Sequence, residues 1–156
     1  MIKPLLLGHR GARAIHQIPE NTLASFDLCL RHGCDGFEFD VRRSADGEAV
    51  ICHDATIGAM KIESTASKSL LLPTLENVLR QFAHRAFLDI ELKVAGLESQ
   101  TLAELRKHHR KRDTSFRRSF PRCSRRSTIS TQRFRWDFFA RPRTSFEPGA
   151  KCRRSG

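Results

Sequence analysis

The stretch "GFEFDVRR", residues 36–43, alternates without a break: Phe37, Phe39 and Val41 face one way, and Glu38, Asp40 and Arg42 face the other. A strand with one apolar and one charged face fits two architectures. In an antiparallel sheet the charged face meets water. In a closed parallel barrel the apolar face meets outer helices, and charges near the strand ends point into the barrel mouth. Taken alone, this strand favours the first reading, so its neighbours along the chain decide.

Towards the N-terminus, Pro4-Leu5-Leu6-Leu7 is a short apolar run that reads as a buried strand, with His9 and Arg10 at its carboxyl end. Leu23, Phe26 and Leu30 then recur at helical spacing, with Asn21 as the N-cap and Gly33 as the stop. Towards the C-terminus, a Ser-Ala-Asp-Gly turn leads to another short strand, Val50 to His53. Asp46-Gly47 is a hairpin signal, whereas parallel neighbours need a long crossover, and the sequence leaves both connections open. Thr74 caps a helix with the stripe Leu75, Val78, Leu79 and Phe82. "AFLDIELK" (86–93) repeats the alternation, with Leu88, Ile90 and Leu92 against Asp89, Glu91 and Lys93, and a further helix runs from about Leu97 to His108. Strands and helices alternate, which predicts an α/β fold with a parallel sheet.

The pattern stops near residue 105. Residues 106–156 hold 17 of the 28 lysines and arginines and only 3 of the 17 acidic residues, so this tail carries +14 and residues 1–105 carry −3. Leucine, isoleucine and valine supply one residue there, Ile129. Such a segment cannot offset its own ordering entropy, and disorder is expected. The chain divides into a folded unit, 1–105, and a basic Arg/Ser-rich tail, 106–156. Five cysteines with no C-x-x-C pair indicate a reducing compartment and argue against structural zinc. Cys29 and Cys52 read as small core residues. No apolar run reaches the length of a membrane span, and the leucine run is too short for a signal peptide, so a cytoplasmic location is expected.

Glu38 and Asp40 project from one strand face, and Glu91 and Lys93 repeat that geometry. Three converging carboxylates repel one another unless a cation lies between them, and an all-oxygen set suits Mg²⁺ or Ca²⁺. His9 and His53 each end a predicted strand, placed for general acid and base work, while Arg10 and Lys93 add the fixed positive charge a phosphoryl group needs. Each of these has a bland alternative: a turn histidine, or a solvated strand face.

Together, "HRG…PENT", "EFD", "HD" and "ELK", in this order and with a Pro-Thr-Leu-Glu helix start between the last two, resemble the glycerophosphodiester phosphodiesterase family over residues 2 to about 105. The resemblance implies a TIM-barrel fold, of which this chain holds roughly the first four strands. It implies His9 and His53 as catalytic residues, and Glu38, Asp40 and Glu91 as ligands of a divalent cation. Arg10 and Lys93 become phosphate contacts, and Glu20 a residue of the site's inner shell, while Asn21 is explained as a helix cap. His16, His32, His84, His108 and His109 match nothing and read as surface residues. The implied reaction is metal-dependent hydrolysis of a small glycerophosphodiester to glycerol 3-phosphate and an alcohol. The tail matches nothing in the family's second half, as a disrupted reading frame would produce. Two other classes stay open. One is a non-catalytic fragment that self-associates through its open half barrel. The other is nucleic-acid binding through the basic tail and its Phe116, Phe120, Phe134, Trp136, Phe138 and Phe139, although no nucleic-acid-binding module is recognisable there.

Overall fold

The computed structural model describes residues 4–15, 17–108 and 114–118, the last four of these as backbone only. His16, His109 and residues 119–156 lie outside the described residues. The expected disorder of the tail therefore falls outside them for residues 109–113 and 119–156, whereas 106–107 end a helix and 114–118 form a strand; of the tail's aromatic residues only Phe116 is described, as backbone.

Four of the five strands of the sheet run parallel, in the order β1 (Leu7–His9), β2 (Gly36–Arg43), β6 (Phe87–Leu92) and β7 (Thr114–Arg118). Helix α1 (Leu23–Arg31) connects β1 to β2, α3 (Leu75–Phe82) precedes β6, and α4 (Glu98–Lys107) connects β6 to β7. Between β2 and α3 lie β3 (Ala49–Ile51), the small hairpin β4 (Thr56–Ile57) and β5 (Met60–Lys61), a 3-10 turn (Ile62–Ser64) and the four-residue α2 (Ser67–Leu70).

The ambiguity of the 36–43 stretch is resolved in favour of the barrel arrangement. Its first six residues are all buried, so neither face meets water. Phe37 stacks on Phe26 of α1 with ring centroids 4.2 Å apart, and meets Phe82 of α3 edge-on at 5.1 Å. Helices cover the apolar face. Burying an aromatic side chain contributes about 1.5–3 kcal/mol, so this aromatic cluster dominates the adhesion of helices to sheet.

Asp46-Gly47 makes a true hairpin: β3 runs antiparallel to β2, with Val41 opposite Ile51. Val41 also pairs with Leu92 on its other side, so β3 occupies the same edge of β2 as β1, further along. Among the described residues β3 is thus an appendage and no barrel strand. The fourth parallel strand is β7, which lies beyond the boundary expected at residue 105. That boundary itself falls inside α4.

Two further expectations are corrected. The first strand is Leu7–His9, and Leu5 and Leu6 are exposed at 50% and 60%. Among the described residues β1 is an edge strand, so the run leading into it has no second neighbour to bury it. Asn21 does not cap α1. Thr22 does, accepting a hydrogen bond from the Ser25 amide. Thr74 caps α3 as expected, with Asn77 closing a reciprocal box. No helix among the described residues is long and apolar enough to cross a membrane.

Candidate active site

Parallel register assembles the site at the carboxyl ends of β1, β2 and β6. His9 lies beside Glu38, and Asp40 lies beside Glu91. Ligand atoms of Glu38, Asp40 and Glu91 all fall within 4.8 Å of one another, and the three residues are 5%, 1% and 7% exposed. Like charges on neighbouring strands repel, and burial adds a desolvation cost of several kcal/mol per ion unless partners offset it.

The partners are present. Lys93 Nζ lies 2.5 Å from Glu91 Oε1 and 3.0 Å from Asp40 Oδ1. Arg10 Nε lies 3.2 Å from Asp40 Oδ2, its Nη1 donates to Glu20 Oε1 at 2.7 Å, and its backbone N–H donates to Glu38 Oε2 at 3.1 Å. Arg13 holds the other Glu20 oxygen at 2.8 Å. Glu20 therefore acts from one step back, fixing the two arginines. Burial lowers the Arg10 pKa, but the hydrogen bond to Glu20 and the negative charges of Asp40, Glu20 and Glu38 outweigh it and raise the pKa above its ordinary value.

The Arg10-Gly11 pair that follows β1 is a tight turn in the left-handed region, at φ 54° and 80°. A Cβ on Gly11 would stand 2.4 Å from Ser25 Oγ, so only glycine lets the turn close on α1. That turn aims the Arg10 amide and side chain together into the cluster. A non-glycine residue held at positive φ is a strained position, of the kind that collects at functional sites.

His9 Nε2 is 3.6 Å from Glu38 Oε2, its Nδ1 is 3.4 Å from Arg13 Nη1, and its side chain is 55% exposed. Partial burial, then the charges of Arg10 and Arg13, lower its pKa. His53 follows β3 in a loop, where its Nδ1 meets Asp54 Oδ1 at 2.7 Å and Arg42 Nε donates to its carbonyl at 2.9 Å. The hydrogen bond from His53 lowers the Asp54 pKa, with smaller contributions from Arg10 and Arg42. The His53-Asp54 pair is therefore within electrostatic reach of Arg10. Of the remaining described histidines, His32 and His84 are exposed as expected and His108 is partly so.

Sequence reasoning missed Asn21. It is 6% exposed at φ 57°, donates from Nδ2 to Asp40 Oδ2 at 3.0 Å, and accepts at Oδ1 from the Asp40 amide at 3.3 Å. Its side chain stands in for a strand where β1 has ended and β3 has not begun. A good N-cap residue beside another good one, Thr22, was the only local signal, and it pointed elsewhere.

All donors in the cluster are hard oxygens, and Asp40 Oδ1 is buried without a hydrogen-bond partner, with Lys93 Nζ 3.0 Å away. That donor set fits Mg²⁺ or Ca²⁺ and does not favour zinc.

A parallel α/β half barrel with an acidic, cation-flanked centre at its strand ends is the class defined by this geometry. Residues 9–71 match the Glycerophosphoryl diester phosphodiesterase family. A Mycobacterium tuberculosis relative, "Probable glycerophosphodiester phosphodiesterase 1", is 38% identical over 87 residues, 55% of this chain and 29% of its own length. A glycerophosphodiester phosphodiesterase from Agrobacterium tumefaciens is 29% identical, with a TM-score of 0.68 over 74% of this chain and 58% of its own. A phosphodiesterase from Oleispira antarctica, solved with the product sn-glycerol-3-phosphate, is 31% identical, with a TM-score of 0.59 over 75% of this chain and 57% of its own. The chain thus spans little more than half of the solved relatives. The family's fold is a TIM barrel, and the described sheet is an unclosed part of one.

Proposed function

We propose that the chain hydrolyses small glycerophosphodiesters to glycerol 3-phosphate and an alcohol. The observation that carries this reading is the buried trio Glu38, Asp40 and Glu91 within 4.8 Å, flanked by Arg10 and Lys93. A divalent cation held by those carboxylates would supply Lewis-acid polarisation of a phosphoryl oxygen and a more acidic attacking hydroxyl or water. Arg10 and Lys93 sit where they can neutralise charge developing on the phosphoryl oxygens, and Glu20 keeps Arg10 in place. His9 and His53 divide the two proton transfers, one taking the nucleophile's proton and the other protonating the leaving alcohol. The Oleispira relative's product complex supports the substrate class.

The test is release of glycerol 3-phosphate from glycerophosphocholine by the full chain. Release that stops with EDTA, returns with added Mg²⁺ or Ca²⁺, and is lost in Asp40→Asn is the expected result. A folded chain that binds the cation but releases nothing would refute the catalytic reading and favour a non-catalytic half barrel.

A further inference from the structure

Outside the site, the C-terminal turn of α1 places two thiols together. Gly33 N–H donates to the Leu30 carbonyl at 3.0 Å and Cys34 N–H to the Cys29 carbonyl at 3.3 Å, with Gly33 at φ +89°. This is the double reverse bonding of a glycine-terminated helix, and it brings the side chains at its two outer positions into contact. Those positions are Cys29 and Cys34. Both are free, Cys29 is 2% exposed, and Cys34 is partly open. Both line a cleft of about 570 Å³ whose other walls include Gly8, Ala12 and Ile15. Cys29 Sγ also lies 2.3 Å from where a Cβ on Gly8 would stand, so it packs against the strand residue just before His9.

We propose that Cys29 and Cys34 are an oxidisable thiol pair, which a peroxide converts to a disulfide that clips the end of α1 beside the strand carrying His9. This inference does not depend on the phosphodiesterase reading. Cys34, the accessible member, attacks the peroxide; the O–O bond breaks, Cys34 becomes the sulfenic acid, and one oxygen leaves as water. Cys29 Sγ then attacks the Cys34 sulfur, the S–S bond forms, the S–O bond breaks, and a second water leaves with the Cys29 proton. Two thiols lose two electrons and one peroxide becomes two waters. The order of attack follows from environment: burial, then contact with Cys34, pushes the Cys29 thiol up to about 12, so it stays protonated while Cys34 reacts.

Arg31 lies between the two cysteines, so trypsin separates them unless a disulfide joins their peptides. The full chain is reduced, treated with hydrogen peroxide, alkylated after denaturation and digested. The expected product is a Cys29–Cys34 cross-linked peptide pair, two hydrogens lighter and cleaved by dithiothreitol, with Cys52 alkylated throughout. Cys34→Ser should lose the cross-link and leave Cys29 fully alkylated. In denaturing urea the same treatment should scatter the pairing over the five cysteines. Over-oxidation of Cys34 with no cross-link, pairing to another cysteine in the folded chain, or an unchanged Cys29–Cys34 product in urea would each overturn the proposal.

Discussion

Replacing Asn21 by alanine tests the claim that its side chain completes the sheet beside Asp40. β1 pairs with β2 only as far as Glu38, and β3 pairs with β2 only from Val41 onward. Asn21 fills the gap with one bond to the buried Asp40 carboxylate and one from the Asp40 amide. Loss of the first is worth about 1.5–3 kcal/mol, and the amide left without an acceptor costs about 1–3 kcal/mol more. Alanine must also hold the left-handed φ of 57°, a cost of about 1–2 kcal/mol that asparagine largely escapes. These contributions overlap, so a net loss of about 3–5 kcal/mol is expected. In urea unfolding, with a slope of about 1–3 kcal/mol/M, the midpoint should fall by about 1 M or more. Asn21→Gly removes the backbone cost and should recover about 1 kcal/mol, which keeps the test readable if the alanine variant does not fold. An alanine variant within about 0.5 kcal/mol of the parent would refute the bridging role.

Calcium or magnesium at about 100 times its dissociation constant should stabilise the chain by about 2.7 kcal/mol, read as a rise in melting temperature, and Asp40→Asn should abolish the rise. Asp46 accepts hydrogen bonds from Ser44 and from the amide and hydroxyl of Ser67, which lower its pKa to about 2. Its folded-state pKa is depressed, so the stability it contributes is present above the ordinary carboxylate value and is lost as pH falls towards 2; an NMR titration should show the low midpoint, and Ser67→Ala should move it up. Gly36→Ala should prevent folding, because its Cβ would stand 1.9 Å from the Phe87 carbonyl oxygen, as read by loss of the cooperative melt. Gly33→Ala meets no atom within 4 Å and should cost only its left-handed φ, about 1 kcal/mol.

Where periodicity and local chemistry agreed, the sequence was a good guide. Phe37, Phe39 and Val41 alternate in the sequence and pack under the helices in the structure, and Thr74 was a readable cap because its partner lies three residues away. The elements missed depend on distant partners. Whether 36–43 buries one face or two is decided by α1, α3 and β6, none of which appears in the stretch itself. The strand 114–118 has no apolar alternation to announce it, and its pairing with β6 supplies the order. Asn21 failed for the same reason: its partner, Asp40, is nineteen residues away and belongs to another element. The three carboxylates were legible because strand spacing alone puts Glu38 and Asp40 on one face, and the register with β6 does the rest.

That register has a further consequence for the site. Glu38, Asp40 and Glu91 do not attract one another, so nothing in the cluster itself selects the arrangement that brings them within 4.8 Å. What selects it is the opposite face of the same strands. A slip of one residue would turn Phe37, Phe39 and Val41 away from Phe26 and Phe82 and expose them, while driving the carboxylates into the helices. The aromatic core therefore holds the acidic residues in place against their mutual repulsion, and Arg10 and Lys93 reduce that repulsion without removing it. With Glu20 included, four carboxylates face Arg10, Arg13 and Lys93. The charge left over is negative and surrounded by hard oxygen donors, an environment that suits the divalent cation proposed for the site.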